Sequence, residues 1–101
     1  MKIAKIDFAG KEREFSMNLG ALDEWEIETG RNALTENIFQ GIKAGQLSFL
    51  LYVVLKQCNK EITLDFCKEN LDPFNMGQVV IALANEYKGE MPKGDGNKKK
   101  A

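Results

Sequence analysis

The feature that most constrains the fold of this chain is a run of seven consecutive apolar residues at positions 49–55. The surrounding segment, Gln46 to Gln57, has few β-branched residues and a length of about three helical turns, so it is predicted to be a helix. A helix that is apolar on nearly every side lies at the centre of a domain or takes part in association. A membrane crossing needs about 20 apolar residues, so none is expected.

Length and composition indicate one small globular domain. The chain has 101 residues, 44% of them hydrophobic, and a formal net charge of −1. This apolar content excludes disorder for most of the chain, and the slightly acidic balance disfavours nucleic acid as a partner. The N-terminus has no apolar region typical of a signal peptide, so we expect the protein in the cytoplasm.

A two-stranded β-hairpin is predicted at the N-terminus. Apolar and polar residues alternate over residues 2–8 and 12–17, with Gly10 in the turn between them. Arg13 shares one side of the second strand with apolar residues, so that face is expected to be only half buried. Because an isolated hairpin is marginally stable, it must pack on helices or pair with a partner strand.

The first helix is predicted over residues 19–30, between an Asn18 cap and a C-terminal Gly30. Its core side is expected to contain Leu19, Leu22 and Trp25.

A short second helix is predicted to begin at Asn32 or Thr35 and to end near Gly41 or Gly45. The prediction rests on the helical spacing of its apolar residues, which are Leu34, Ile38, Phe39 and Ile42.

Two more helices follow the central one. Thr63 is predicted to cap a helix over 64–70, and Asp72–Pro73 begins a last helix to Tyr87, ended by Gly89 and Pro92. The predicted fold is thus α+β and mostly α. It has an N-terminal β-hairpin followed by four to five helices, which form one domain over residues 1–88.

The composition changes at the C-terminus. Residues 88–101 contain five lysines and two acidic residues, whereas residues 1–87 contain nine basic and 13 acidic residues. We expect residues 89–101 to form a disordered, Lys- and Gly-rich tail on an acidic body.

The residue types argue against an enzyme. There is no histidine, and no glycine pattern matches a phosphate-binding loop. Cys58 and Cys67 have neither zinc-site nor redox spacing and are expected to be reduced thiols. We therefore predict no catalytic residues, no cofactor and no metal.

A binding function is left, with two candidate surfaces. Four acidic residues lie within positions 23–28, which is typical either of a solvated helix face or of a contact with a basic partner. The central helix either buries all its apolar residues or leaves some open to a partner or a second copy. The candidate partner-binding residues are Asp23, Glu24, Glu28, Phe49, Tyr52 and Val53.

Residues 11–31, KEREFSMNLGALDEWEIETGR, resemble the start of the tail assembly chaperones of long-tailed bacteriophages and prophages. In that family Gly-Ala-Leu opens the first helix and a Glu-x-x-Thr-Gly-like sequence closes it. The order and length of the later helices also fit over residues 1–88. The matching positions are Gly20, Ala21, Leu22, Glu26, Thr29 and Gly30.

The resemblance implies a non-catalytic virion-assembly factor that acts in the host bacterial cytoplasm and is absent from the mature virion. Its implied partners are the tape measure protein, which it binds and keeps soluble, and the tail tube protein, which it helps to recruit. It also implies a longer, frameshifted form of the chain, for which the Lys98–Lys100 run suggests a slippery site. A homo-oligomer is a further alternative.

Other readings remain open. A structural tail component, such as a tube or completion subunit, would need more strand content than the hairpin supplies. A small DNA-binding regulator would need basic residues on a recognition helix, and helix 73–87 has none. An adaptor protein of a mobile element is the third alternative.

Overall fold

The computed structural model of the protein describes residues 2–90. In this range an N-terminal hairpin is followed by four helices, as predicted. The elements are β1 (Ala4–Phe8), β2 (Lys11–Phe15), α1 (Leu19–Thr29), α2 (Ala44–Lys56), α3 (Leu64–Asn70) and α4 (Met76–Glu90). The predicted tail from residue 91 onward lies outside the described residues.

The hairpin has an apolar face and a polar face. β1 and β2 pair antiparallel, with Ala4 opposite Phe15 and Phe8 opposite Lys11. Ala9 and Gly10 have φ values of 54° and 87°. Positive φ at both positions is typical of the two-residue hairpin turn whose twist matches that of the flanking strands. The buried side chains of the hairpin are Ile6, Phe8 and Phe15, and the exposed ones opposite them are Lys5, Asp7, Glu12 and Glu14.

The expectation that the face of Arg13, Phe15 and Met17 is only half buried is wrong, because Phe15 and Met17 are 1% and 3% exposed and Arg13 alone of the three is partly open. The Arg13 guanidinium lies over the Phe66 ring at 4.9 Å, and Nε donates to the Phe8 carbonyl at 2.8 Å. Arginine therefore closes the side of the core between the hairpin and α3.

The predicted caps of α1 are confirmed. Asn18 Oδ1 accepts from the Ala21 N–H at 2.8 Å, and Gly30 ends the helix with φ 74°. The prediction that Leu19 lies in the core is wrong, since its side chain is 74% exposed. Because each helical residue turns by about 100°, Leu19 lies roughly 90° from the middle of the side that Leu22 and Trp25 bury.

The central helix has its predicted place. α2 is buried on most of its circumference, and only Phe49 and Tyr52 of the apolar run remain partly open. Trp25 reaches it from α1, where Nε1 donates to the Gln46 carbonyl at 2.9 Å. The hairpin joins it through a hydrogen bond of 3.0 Å from the Ser16 N–H to the Val54 carbonyl.

The predicted second helix is wrong. Residues 33–35 and 38–41 form turns instead. The Arg31 guanidinium donates to the carbonyls of Ile38 at 3.1 Å and Gln40 at 3.2 Å, which a longer helix would use for its own N–H groups. Hydrogen bonds from Arg31 therefore take the place of the backbone hydrogen bonds of a helix here. Leu34 is 64% exposed, while Ile38 is buried.

The C-terminal half follows its predicted order with one shift of boundaries. Thr63 Oγ1 accepts from the Phe66 N–H at 3.1 Å and caps α3. Asp72 Oδ1 accepts from two N–H groups, but residues 73–75 form a turn and α4 begins at Met76. Gly89 does not end α4, which continues to Glu90.

Candidate interaction surfaces

The predicted partner-binding residues fall on two sides of α1. One side carries Glu24 and Glu28 next to Phe49 and Tyr52 of α2, and we call these four residues the aromatic face. Asp23 lies on the other side of α1. Val53 is 0% exposed, so it belongs to the core and has no surface through which it could bind a partner.

Part of the negative charge of the aromatic face is compensated. Lys56 Nζ donates to Glu24 Oε2 at 2.6 Å and lies 5.0 Å from the centroid of the Tyr52 ring. The hydrogen bond to Glu24 raises the pKa of Lys56, and partial burial opposes this effect. Glu24 is therefore engaged within the chain.

Glu28 also lies among basic residues. An open groove of about 420 Å³ extends from Glu28 and Phe49 to Lys43 and Lys68. The Phe49 ring packs against Tyr52 with a centroid distance of 5.8 Å. Lysines thus surround the aromatic face, and its two carboxylates do not form an uncompensated acidic surface.

A second groove lies on the other side of α1 and has an apolar lining with acidic residues. Its volume is about 300 Å³. Leu19 and Leu34 are 74% and 64% exposed at this groove, and Asp23 is exposed between them. We call it the α1 groove, and its lining residues are Leu19, Leu22, Asp23, Glu26, Ala33 and Leu34.

Hydrogen bonds fix the far wall of the α1 groove. Glu26 Oε2 accepts from the Ala33 N–H at 2.7 Å. The Tyr87 hydroxyl contacts the carbonyls of Ala33 and Glu36, which ties this wall to α4. Because both ends of the turn are fixed, Leu34 is held opposite Leu19 with its side chain in solvent.

Arg31 also stabilises the wall of the groove that residues 33 and 34 form. Its Nε donates to Glu36 Oε1 at 3.0 Å, and the guanidinium lies 5.6 Å from the Trp25 ring centroid. The Asn32 N–H and then Arg31 donate to the Glu36 carboxylate, and these hydrogen bonds lower the pKa of Glu36. The groove is therefore preorganised by contacts within the chain.

Sequence reasoning missed Leu19 and Leu34 as surface residues because it placed both on buried helical stripes. It also gave Arg31 no role. One signal was available, since Arg31 follows directly after the helix-ending Gly30 and can reach back across the following turns.

Within residues 2–90, no group of three or more Cys, Asp or Glu side chains could hold a metal ion. Both thiols are free, and burial raises the pKa of Cys67 to about 11, which keeps it protonated at neutral pH. None of the helices in this range has the length and apolar character that a membrane crossing requires.

Comparisons with protein-family models, with curated proteins and with solved structures found no match to this chain.

Proposed function

We propose that this protein is a non-catalytic tail assembly chaperone of a long-tailed phage or prophage. It binds and solubilises the tape measure protein in the host cytoplasm, helps to recruit tail tube subunits, and is absent from the mature virion. The observation that carries the proposal is the α1 groove, which is lined by two exposed leucines together with two acidic residues. The segment GALDEWEIETG over 20–30, which resembles that family, contributes Leu22, Asp23 and Glu26 to the lining of this groove.

The α1 groove suits an amphipathic helix. A partner helix of this kind presents apolar side chains at a spacing of three and four residues, which fits a short groove with leucines on both walls. Complete burial of a leucine side chain is worth about 1.5–3 kcal/mol, so Leu19 and Leu34 could supply much of the affinity. A long helical tape measure protein repeats such stripes, and each repeat could accept one chaperone.

The charge of the groove adds specificity. Within residues 2–90, Asp23 forms no ion pair, in contrast to Glu24 on the aromatic face. An uncompensated carboxylate beside an apolar contact favours partners with Lys or Arg next to their apolar stripe and accelerates encounter.

The test is co-expression with the tape measure gene of the same phage or prophage. We expect the tape measure protein to be soluble with the wild-type chain and to aggregate without it. The Leu19→Ser/Leu34→Ser double variant should lose most of this effect, since both side chains are exposed and their loss leaves the core intact.

The matched control is Phe74→Ser, which removes another exposed apolar side chain, one that is 95% exposed and lies outside the groove. It should solubilise the tape measure protein as well as wild type does. The proposal fails if the tape measure protein is equally soluble without the chaperone.

The resemblance also leads us to propose a longer frameshifted form. Its slippery site would lie at the codons of Lys98–Lys100, since lysine codons are rich in adenine. The nucleotide sequence tests this directly, because the absence of a heptameric slippery site or of an overlapping frame excludes it.

A further inference from the structure

The two edges of the hairpin differ in whether the rest of the chain forms hydrogen bonds with them. The two-residue turn makes Phe8 and Lys11 a hydrogen-bonded pair, so the pairing alternates back to Ala4 and Phe15. The backbone N–H and C=O groups of Lys5 and Asp7 therefore point away from β2. Within residues 2–90, no hydrogen bond from outside the hairpin reaches these groups.

The edge of β2, in contrast, is held by its own chain. Asn59 Nδ2 donates to the Glu14 carbonyl at 2.7 Å, and the Ser16 N–H donates to Val54 in α2 at 3.0 Å. Within residues 2–90, β1 thus offers the more open strand edge for the addition of a further strand.

We propose that β1 pairs antiparallel with β1 of a second copy of this chain, about a two-fold axis at Ile6. The product is a four-stranded sheet with the order β2-β1-β1-β2. Each Lys5 then lies directly opposite Asp7 of the second copy, and each such pair exchanges two backbone hydrogen bonds.

Charge complementarity selects this occupant and this register. Lys5 and Asp7 both lie on the exposed face of β1 and are symmetric about Ile6. Opposite charges on directly opposed strand residues stabilise the pairing, and like charges destabilise it. A shift by two residues in one direction would place Lys5 opposite Lys5, and in the other direction Asp7 opposite Asp7.

Apolar surface next to this edge adds to the interface. A groove of about 400 Å³ lies where α4 packs beside the hairpin, and its lining includes Ala4, Lys5 and Ile81. Ile81 is 63% exposed there. A strand added at β1 would lie beside this groove and reduce its exposure to water.

Sedimentation velocity of the full chain tests the proposal from about 10 μM to about 1 mM, the range in which small interfaces associate. We expect a reversible dimer. Asp7→Pro removes an outward N–H without breaking the hairpin ladder and should abolish the dimer. Glu12→Pro is the matched control, because Glu12 lies directly opposite on β2, and it should leave dimerisation unchanged.

A charge exchange tests the register. Lys5→Glu should weaken the dimer by about tenfold, because it places two acidic pairs across the axis. The double variant Lys5→Glu/Asp7→Lys restores opposite charges and should recover wild-type association to within about threefold. Circular dichroism melting of each variant shows that the hairpin domain is folded.

A chain that stays monomeric up to about 1 mM overturns the proposal. So does a dimer that Asp7→Pro leaves intact, or one that the double charge exchange does not rescue. None of these results bears on the α1 groove, whose leucines lie outside the hairpin.

Discussion

Segment 32–43 and α2 are neighbours in the chain and both contribute to the core, but their backbones are stabilised by different means. α2 satisfies its own backbone and is buried on nearly every side. Segment 32–43 contains isolated turns whose carbonyls accept hydrogen bonds from the side chains of Arg31 and Tyr87. A segment can therefore bury an apolar residue such as Ile38 without forming a helix.

The difference has a functional consequence. A helix over 32–43 would turn its apolar residues to one side, toward the core. The turns instead bury Ile38 and leave Leu34 in solvent opposite Leu19. The α1 groove thus exists because this segment is held by side chains rather than by a helical ladder.

The largest expected effect is on α2. Leu50→Ala removes a side chain that is fully buried in the central helix and should lower the free energy of unfolding by about 3–4 kcal/mol. Urea denaturation measures this change. Leu19→Ala is the control with the same chemistry at an exposed site, and its effect should be close to zero. Similar decreases in the free energy of unfolding for both variants would contradict the burial of Leu50 and the exposure of Leu19.

Removal of the arginine tests segment 32–43. Arg31→Ala should cost about 2–3 kcal/mol, because several carbonyls and the Glu36 carboxylate lose a charged donor. Amide hydrogen exchange should accelerate over residues 33–40 and stay slow in α2. Arg31→Lys keeps the charge without the planar donor set and should recover only part of the stability. An unchanged exchange pattern in Arg31→Ala would contradict the role of Arg31.

A smaller loss of stability is expected when the hydrogen bonds between Tyr87 of α4 and segment 32–43 are removed. Tyr87→Phe removes the hydroxyl that contacts the carbonyls of Ala33 and Glu36, and should cost about 1 kcal/mol. Burial raises the pKa of Tyr87 above its ordinary 10.0. Wild-type stability should therefore fall as pH rises above 10.0, and the variant should lack this loss. Alkaline urea titrations of both proteins compare them directly, and equal pH dependence would count against the tie.

The smallest effect on stability is expected at acidic pH, from protonation of Glu36. The pKa of Glu36 lies below its ordinary 4.5, so its stabilising contribution is complete above that pH and is lost as the pH falls through the lowered value. Because the side chain is exposed, the change should be slight and confined to segment 32–43. Acid titration of the Glu36 carboxyl by NMR measures it, and a pKa at or above 4.5 would contradict the hydrogen bonds to Asn32 and Arg31.

Sequence reasoning succeeded where the signals were local. The hairpin turn, the Asn18 and Thr63 caps and Gly30 each depend on residues within a few positions of one another. It failed at segment 32–43, because the carbonyls there accept hydrogen bonds from the side chains of Arg31 and of Tyr87, and Tyr87 lies more than fifty positions away in the chain. Apolar spacing alone cannot reveal such a competitor for the backbone.

The candidate site was predictable only in part, for the same reason. The sequence suggested acidic and aromatic residues, and four of them do lie together on the aromatic face. The ion pair between Glu24 and Lys56 joins residues that are far apart in the chain. It compensates the negative charge of Glu24, for which local sequence patterns indicate no partner. The exposed leucines of the α1 groove depend on the course of segment 32–43, which local patterns do not encode.

The most direct measurement is NMR mapping of the ¹⁵N-labelled chain with a purified helical fragment of the tape measure protein of the same phage or prophage. A chaperone that works through the α1 groove should show its largest shift changes at Leu19, Asp23 and Leu34, with small changes at Phe49 and Tyr52. The Leu19→Ser/Leu34→Ser variant should show none at the same concentrations. Changes centred on the aromatic face, or no changes at saturating fragment, would contradict binding at this groove.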